Sequence, residues 1–209
     1  MILFLALLAR AGHGKSTAAK HLTRTYDAKT IALATPLKRT AQKVMGFSDA
    51  QMWGTQADKE AIDPRYGFSA RKFLQLLGTE GMRQEFGQNI HLDAMVNSVM
   101  DSFPVGVVPN GLYIVDDARF LNEVMYLNRV KHKSPYLNGA TIKILCTDAP
   151  VMEGPEAQHS SEQEIDRVPN EELAATVVSS RAQGVLHLVE ELEKAIATAP
   201  KLAPFRSMF

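Results

Sequence analysis

Apolar residues fall along the chain in short runs separated by stretches of helical period. Ile2–Leu8 is wholly apolar and reads as a strand buried on both faces, the pattern of a parallel sheet. Ala9–Gly14 is a loop of small residues, and Lys15–Thr25 is composed of helix formers. Thr30–Ala34 predicts a second short strand. Pro36 suits the first turn of a helix that runs to Met45 and is ended by Gly46. Residues 47–68 have no clean period and read as short helix and loop. Ser69 is placed to cap a helix over Ala70–Phe86, with Phe73, Leu74, Leu77 and Met82 along one side. Leu92, Met95, Val96 and Val99 repeat at helical spacing within Ile90–Ser102.

The second half resumes the alternation. Leu112–Val115 is a buried strand ending at Asp116 and Asp117, followed by a helix over Leu121–Val130. Thr141–Leu145 and Ala175–Val178 are further strands, with a polar, acidic stretch between them that reads as loop and one short helix. Ala182–Thr198 is an amphipathic helix with Val185, Leu188, Val189, Leu192 and Ile196 as its apolar stripe. The pattern is α/β: a mostly parallel five-stranded sheet flanked by helices, in a single domain over 1–209. Residues 47–105 form a helical insertion between the second and third strands, 118–138 hold a candidate lid, and 199–209 form a loosely packed tail.

Composition narrows the function. The chain has 209 residues, 45% of them hydrophobic, enough for a core. Lys plus Arg and Asp plus Glu both total 23, so bulk charge excludes a general nucleic-acid binder. Charge is nevertheless uneven: residues 1–45 hold eight basic side chains and one acid, a cluster suited to a compact anion or to a solvated face. One cysteine, Cys146, excludes an intramolecular disulfide and fits a reducing, cytoplasmic setting. The apolar start, Met1–Ala9, is too short to span a bilayer, so no membrane partner is expected.

Against that background the loop after the first strand stands out. Ala9-Arg10-Ala11-Gly12-His13-Gly14-Lys15-Ser16-Thr17 matches the phosphate-loop pattern G-x-x-x-x-G-K-[ST] except for Ala9 at its first position. Gly12 and Gly14 let backbone N–H groups curl around phosphate oxygens, and the helix start adds donors. Lys15 supplies charge to the β and γ phosphates, and the Ser16 hydroxyl is placed to ligate Mg²⁺. Gly12, His13, Gly14, Lys15, Ser16 and Thr17 are the expected ATP-binding residues. His13 is read as a backbone donor rather than a base.

Four further segments occur in a fixed order: Ala34-Thr-Pro-Leu-Lys-Arg, Ser69-Ala-Arg-Lys-Phe-Leu-Gln-Leu-Leu-Gly-Thr-Glu-Gly-Met-Arg83, Asp117-Ala-Arg-Phe-Leu-Asn-Glu123 and the weaker His159-Ser-Ser-Glu162. With the phosphate loop they resemble the bacteriophage-type deoxynucleoside monophosphate kinases, within the wider nucleoside monophosphate kinase group. The resemblance spans most of residues 1–165. It implies a P-loop kinase fold with a helical substrate-binding insertion and a short lid. It also implies ATP- and Mg²⁺-dependent transfer of the γ-phosphoryl group to a (deoxy)nucleoside monophosphate. The acceptor is assigned to Leu37, Lys38, Arg71, Gln75, Thr79 and Arg83. On position alone Lys38 is equally a surface lysine, and the Arg71 face equally a solvated one. Lys15, Asp117 and Arg119 are the expected catalytic residues, with Arg119 meeting charge on the transferring group. Asp116 or Asp117 can hold Mg²⁺ directly, through water, or bond a sugar instead. His159 and Glu162 are read as structural or substrate-loop residues. Closure of the insertion and lid would exclude water. Two alternatives stay open: a kinase for another small phosphorylated acceptor such as phosphomevalonate, and a P-loop ATP-binding module with no small acceptor. A homodimer is compatible with the sequence.

Overall fold

The computed structural model describes residues 1–149 and 160–209. In chain order the elements are β1 (Ile2–Leu8), α1 (Lys15–Thr25), β2 (Lys29–Ile31), α2 (Ala34–Met45), α3 (Asp49–Trp53) and α4 (Gln56–Glu60). A two-residue hairpin, β3 (Ile62–Asp63) and β4 (Phe68–Ser69), leads into α5 (Ala70–Leu76), which continues as a π-helical stretch over Leu77–Gln84. Then come α6 (Ile90–Asp101), β5 (Gly111–Val115), α7 (Leu121–Asn128), β6 (Leu137–Cys146), α8 (Ser160–Arg167), β7 (Ala175–Ser179) and α9 (Gly184–Thr198). The chain forms two compact units: Met1–Ala32 with Val99–Phe209, and Leu33–Ser98.

The first unit is built on a five-stranded sheet in the order β2-β5-β1-β6-β7, with every pairing parallel. All seven residues of β1 are buried, because it is the central strand and is covered on both faces. Leu3, Leu5 and Leu7 join Leu22 of α1 and Leu188, Leu192 and Ile196 of α9 in the main core. Leu8 lies instead with Val124 of α7 and Ile165 of α8. The chain leaves β1 toward β2 and β5 on one side and β6 and β7 on the other. The carboxyl end of β1 is therefore a point of strand-order reversal, where parallel sheets open a crevice for ligands.

The second unit has its own core. Ala41, Phe47, Met52 and Ala70 are its buried centre, with Met45, Phe68, Phe73 and Leu74 packed around them. Phe47, Tyr66, Phe68 and Phe73 form a chain of ring contacts 5.6–6.2 Å apart between centroids. Asp63, almost wholly buried, anchors the hairpin turn by accepting from the Arg65 guanidinium and from Gln51. Those bonds, the Arg65 ones foremost, hold its carboxyl well below the usual carboxylate range.

Several boundaries differ from the sequence reading. The separate unit starts at Leu33 rather than 47 and ends at Ser98 rather than 105, so α2 belongs to it. β6 begins at Leu137, four residues before the expected Thr141. Asn138 and Gly139 interrupt its apolar pattern, yet the whole stretch pairs with β1 in register from Ile2↔Leu137 to Leu8↔Lys143. Within 118–138, the stretch expected to hold a lid, Ala118, Val124, Leu127, Val130 and Leu137 are buried, whereas Arg129, Lys131, His132 and Lys133 are exposed. The tail is not loose. Pro200–Met208 winds as 3₁₀ turns, and Leu202 and Phe205 enter the main core. Phe209 meets Tyr26 edge-on at 5.2 Å. The apolar spacing of Leu202 and Phe205, three apart, matches the 3₁₀ period, and the prolines had masked that signal.

Candidate active site

The phosphate loop leaves the carboxyl end of β1 and turns into α1 through two left-handed residues, Gly12 at φ 79° and Gly14 at φ 90°. An L side chain is strained at either position. Space is also short at both. A Cβ at Gly12 would stand 3.1 Å from the Arg181 guanidinium, and one at Gly14 would stand 2.8 Å from Leu188 Cδ2. Each glycine is thus covered by a side chain from the β7–α9 region. His13, between them, accepts the backbone N–H of Cys146 on Nδ1 at 3.0 Å. The His13 side chain thus ties the loop to the end of β6, a role beyond the backbone donation expected from the sequence. Arg10, at the loop's start, pairs with Asp166 of α8.

Lys15 and Ser16 open α1, and Gly14 is its N-cap residue, with no side-chain cap hydrogen bond. Beside the loop lies a cavity of about 320 Å³ lined by Gly12, His13, Gly14 and Thr17 on one side. Its far wall includes Cys146, Arg181, Val185 and Leu188. The size suits a small organic ligand, and the mixture of loop backbone, apolar wall and guanidinium suits one with an anionic end. The sequence had not assigned Arg181, Val185 or Leu188 to any site. They lie some 170 residues beyond the loop, and only the parallel pairing of β6 and β7 beside β1 brings them back to it.

Asp116 and Asp117 follow the last residue of β5. Because β5 pairs with β1 in parallel, Ala6 opposite Val115, both acids emerge at the same sheet edge as the phosphate loop. Arg119 is two residues further on. Its backbone N–H and that of Phe120 donate to the Glu123 carboxylate at 2.8 and 3.1 Å. Glu123 is 2% exposed, and it both caps α7 and fixes the path of the chain at Arg119. The Asp117–Glu123 segment therefore has a structural purpose at its last residue and carries a carboxylate at Asp117 and a guanidinium at Arg119. His159 lies outside the described residues, as does the side chain of Glu162.

The residues expected from the sequence to hold an acceptor all fall in the second unit. Lys38 lies over the Trp53 ring, its ammonium 4.4 Å from the centroid. Arg71 bonds Gln56 at 2.7 Å and stands 3.8 Å from a Glu60 oxygen. Leu37 packs directly on Gly78, where a Cβ would be 3.1 Å from its Cδ2, and the Gly78 carbonyl bonds His91. Gln75 is exposed on the last turn of α5. Thr79 and Arg83 lie beyond the switch to π winding at Leu77. The four-residue spacing of Arg71, Gln75 and Thr79 therefore spans a change of helical winding. Bonds of i→i+5 type rotate each later residue away from its α position. Trp53, Gln56 and Glu60, none of them singled out in the sequence, are neighbours of the two basic residues that were.

A Mg²⁺ ion fits the groups present. No cluster of three or more His, Cys, Asp or Glu side chains is arranged to hold a metal among the described residues. One hydroxyl, Ser16, beside carboxylates at the same sheet edge is the sparse oxygen set of an ion that takes its other ligands from phosphate and water. No helix of the described residues is long and apolar enough to cross a membrane.

Over 150 residues, 68% of this chain and 74% of the relative, the sequence is 30% identical to an Acanthamoeba polyphaga mimivirus protein named "Putative deoxynucleotide monophosphate kinase". The chain belongs to that protein's P-loop kinase family. No family model matches the sequence. Among solved structures, dephospho-CoA kinase from Campylobacter jejuni is similar at 13% identity, covering 93% of this chain and 97% of its own, with a TM-score of 0.49. TT1252 from Thermus thermophilus is similar at 16% identity over 94% and 96%, with a TM-score of 0.44. As a kinase of this family, the chain binds a nucleotide and transfers a phosphoryl group.

Proposed function

We propose that this kinase transfers the γ-phosphoryl group of ATP, with Mg²⁺, to a (deoxy)nucleoside monophosphate. The observation that carries the reading is that one chain holds both a loop after β1 with left-handed Gly12 and Gly14 before Lys15 and Ser16, and the basic residues Lys38, Arg71 and Arg83 in its second unit. A relative of 30% identity whose name specifies a deoxynucleotide monophosphate acceptor supports it. An ATPase with no small acceptor has no use for Lys38, Arg71 and Arg83 as a second anion site.

In this reading the cavity beside the loop takes the donor. The Gly12–Thr17 backbone and Lys15 hold its phosphates, and Val185 and Leu188 offer an apolar wall to its base. Ser16 and one of Asp116 and Asp117 hold Mg²⁺, which neutralises charge on the β and γ oxygens. Arg119, fixed by Glu123, meets charge that develops on the transferring group. Lys38 and Arg71 hold the acceptor phosphate, with Leu37, Gln75, Thr79 and Arg83 completing that side. Transfer between two phosphates requires little proton movement, so the residues act by positioning and charge neutralisation. Exchanging Lys15 for Ala is expected to abolish acceptor-dependent ADP formation while leaving the circular dichroism spectrum and Tm unchanged. Undiminished transfer in that variant would overturn the proposal.

A further inference from the structure

Asp148 sits two residues past the end of β6, at the margin of the donor cavity, and the phosphate-loop motif gives it no role. Its carboxylate accepts four bonds: from the Arg181 N–H at 2.6 Å, the Ala182 N–H at 2.9 Å, the Ser180 hydroxyl at 2.8 Å and the Cys146 thiol at 3.2 Å. Three of the donors are consecutive residues in the link between β7 and α9. That link carries Arg181, whose Nη2 donates to the Gly12 carbonyl at 2.9 Å. The guanidinium therefore lies across the phosphate loop and engages a carbonyl, not the N–H groups that a phosphate needs. It also lines the cavity, opposite no acidic side chain of the lining set.

We propose that Arg181 contacts the polyphosphate of the donor nucleotide and that Asp148 is its positioning residue. Asp148 fixes the 180–182 turn, the turn aims the guanidinium over Gly12, and a bound polyphosphate receives it there. A guanidinium offers planar paired donors that match phosphate oxygens, which makes this residue type suited to the place. The inference rests on reading the cavity as the donor site.

The order of effects separates positioning from simple charge. Removing a carboxylate near a polyphosphate should by Coulomb's law alone tighten binding. If Asp148 works through Arg181, its removal weakens binding instead. Calorimetric titration of the full chain with ATP and with adenosine reads this directly. Arg181→Ala is expected to weaken ATP about tenfold, the scale of one charge-assisted bond, and to leave adenosine unchanged. Asp148→Asn should weaken ATP by a similar factor in the native background and produce no further loss in the Arg181→Ala background. Tighter or equal ATP binding in Asp148→Asn, or full additivity of the two changes, would overturn the positioning role. Unchanged ATP affinity in Arg181→Ala would overturn the contact itself while leaving the donor-site reading intact. A native chain that binds no ATP would overturn the donor-site reading. Should Asp148→Asn fail to fold, Arg181→Lys decides beside Arg181→Ala: retention of part of the affinity by Lys supports the contact, and equal values contradict it.

Discussion

Replacing Gly14 with Ala tests how tightly the phosphate loop is locked to the last helix. Two costs act together. At φ 90° an L residue is strained, by about 1–2 kcal/mol relative to glycine. The new Cβ would also stand 2.8 Å from Leu188 Cδ2, inside any real contact distance. Leu188 is 5% exposed and belongs to the main core, so it has little freedom to withdraw. Overpacking of that kind costs about 1–3 kcal/mol. The total is about 2–5 kcal/mol, which lowers Tm by roughly 5–15 °C in a chain of this size. Gly12 provides the internal control. Its φ of 79° carries the same conformational cost, but the atom it would meet, at 3.1 Å, is the end of a long arginine that can swing aside. Gly12→Ala should therefore cost only about 1–2 kcal/mol of stability. Thermal and urea unfolding of both variants, followed by circular dichroism, reads the difference. Leu188→Ala closes the cycle: its own cost in the native background should shrink by about 1–3 kcal/mol in the Gly14→Ala background, because it removes the clash. Equal stability of the two glycine variants, or strict additivity with Leu188→Ala, would refute the packing argument.

Other consequences are open to simple assays. Leu202→Ala is expected to cost about 2–5 kcal/mol in urea unfolding, since the terminal turns fill the core; an unchanged midpoint would restore the picture of a loose tail. The Asp63 carboxyl has its folded value depressed by Arg65 and Gln51, so its contribution is present above the ordinary carboxylate range and is lost as pH falls toward the depressed value. The stability gap between the native chain and Asp63→Asn should accordingly be flat above about pH 5 and narrow steadily below it, and a gap that widens on acidification would contradict the assignment. Glu123→Gln should lower kcat for phosphoryl transfer more than it raises KM for ATP, because it loosens the backbone at Arg119; a change in KM alone would point elsewhere.

The parts of this molecule that the sequence revealed are those where local pattern and tertiary role agree. β1 is apolar throughout because it is central, and α1 begins at Lys15 because the loop glycines end there, so both elements match their expected bounds. The phosphate loop was legible for the same reason. Elsewhere the decisive contacts join distant segments. Arg181 and Leu188 cover Gly12 and Gly14 only because β6 and β7 extend the sheet beside β1, and no local signal in 180–188 announces it. The π winding from Leu77 to Gln84 was hidden as well, since eight residues of apolar spacing fit either helical period. Packing of Leu37 against Gly78 accompanies that change of winding, and a contact of this kind has no trace in the spacing of either segment alone. Glu123 ends one of the segments that carry the family resemblance, but its burial and its bonds to Arg119 and Phe120 belong to the folded chain.

Acceptor-dependent ADP release tests the central claim most directly. The purified chain with ATP and Mg²⁺ is offered the four deoxynucleoside monophosphates, their ribose counterparts, phosphomevalonate and no acceptor. The account predicts ADP formation only when a nucleoside monophosphate is present, with the matching diphosphate appearing in equal amount. Release without any acceptor, or with phosphomevalonate alone, would contradict it.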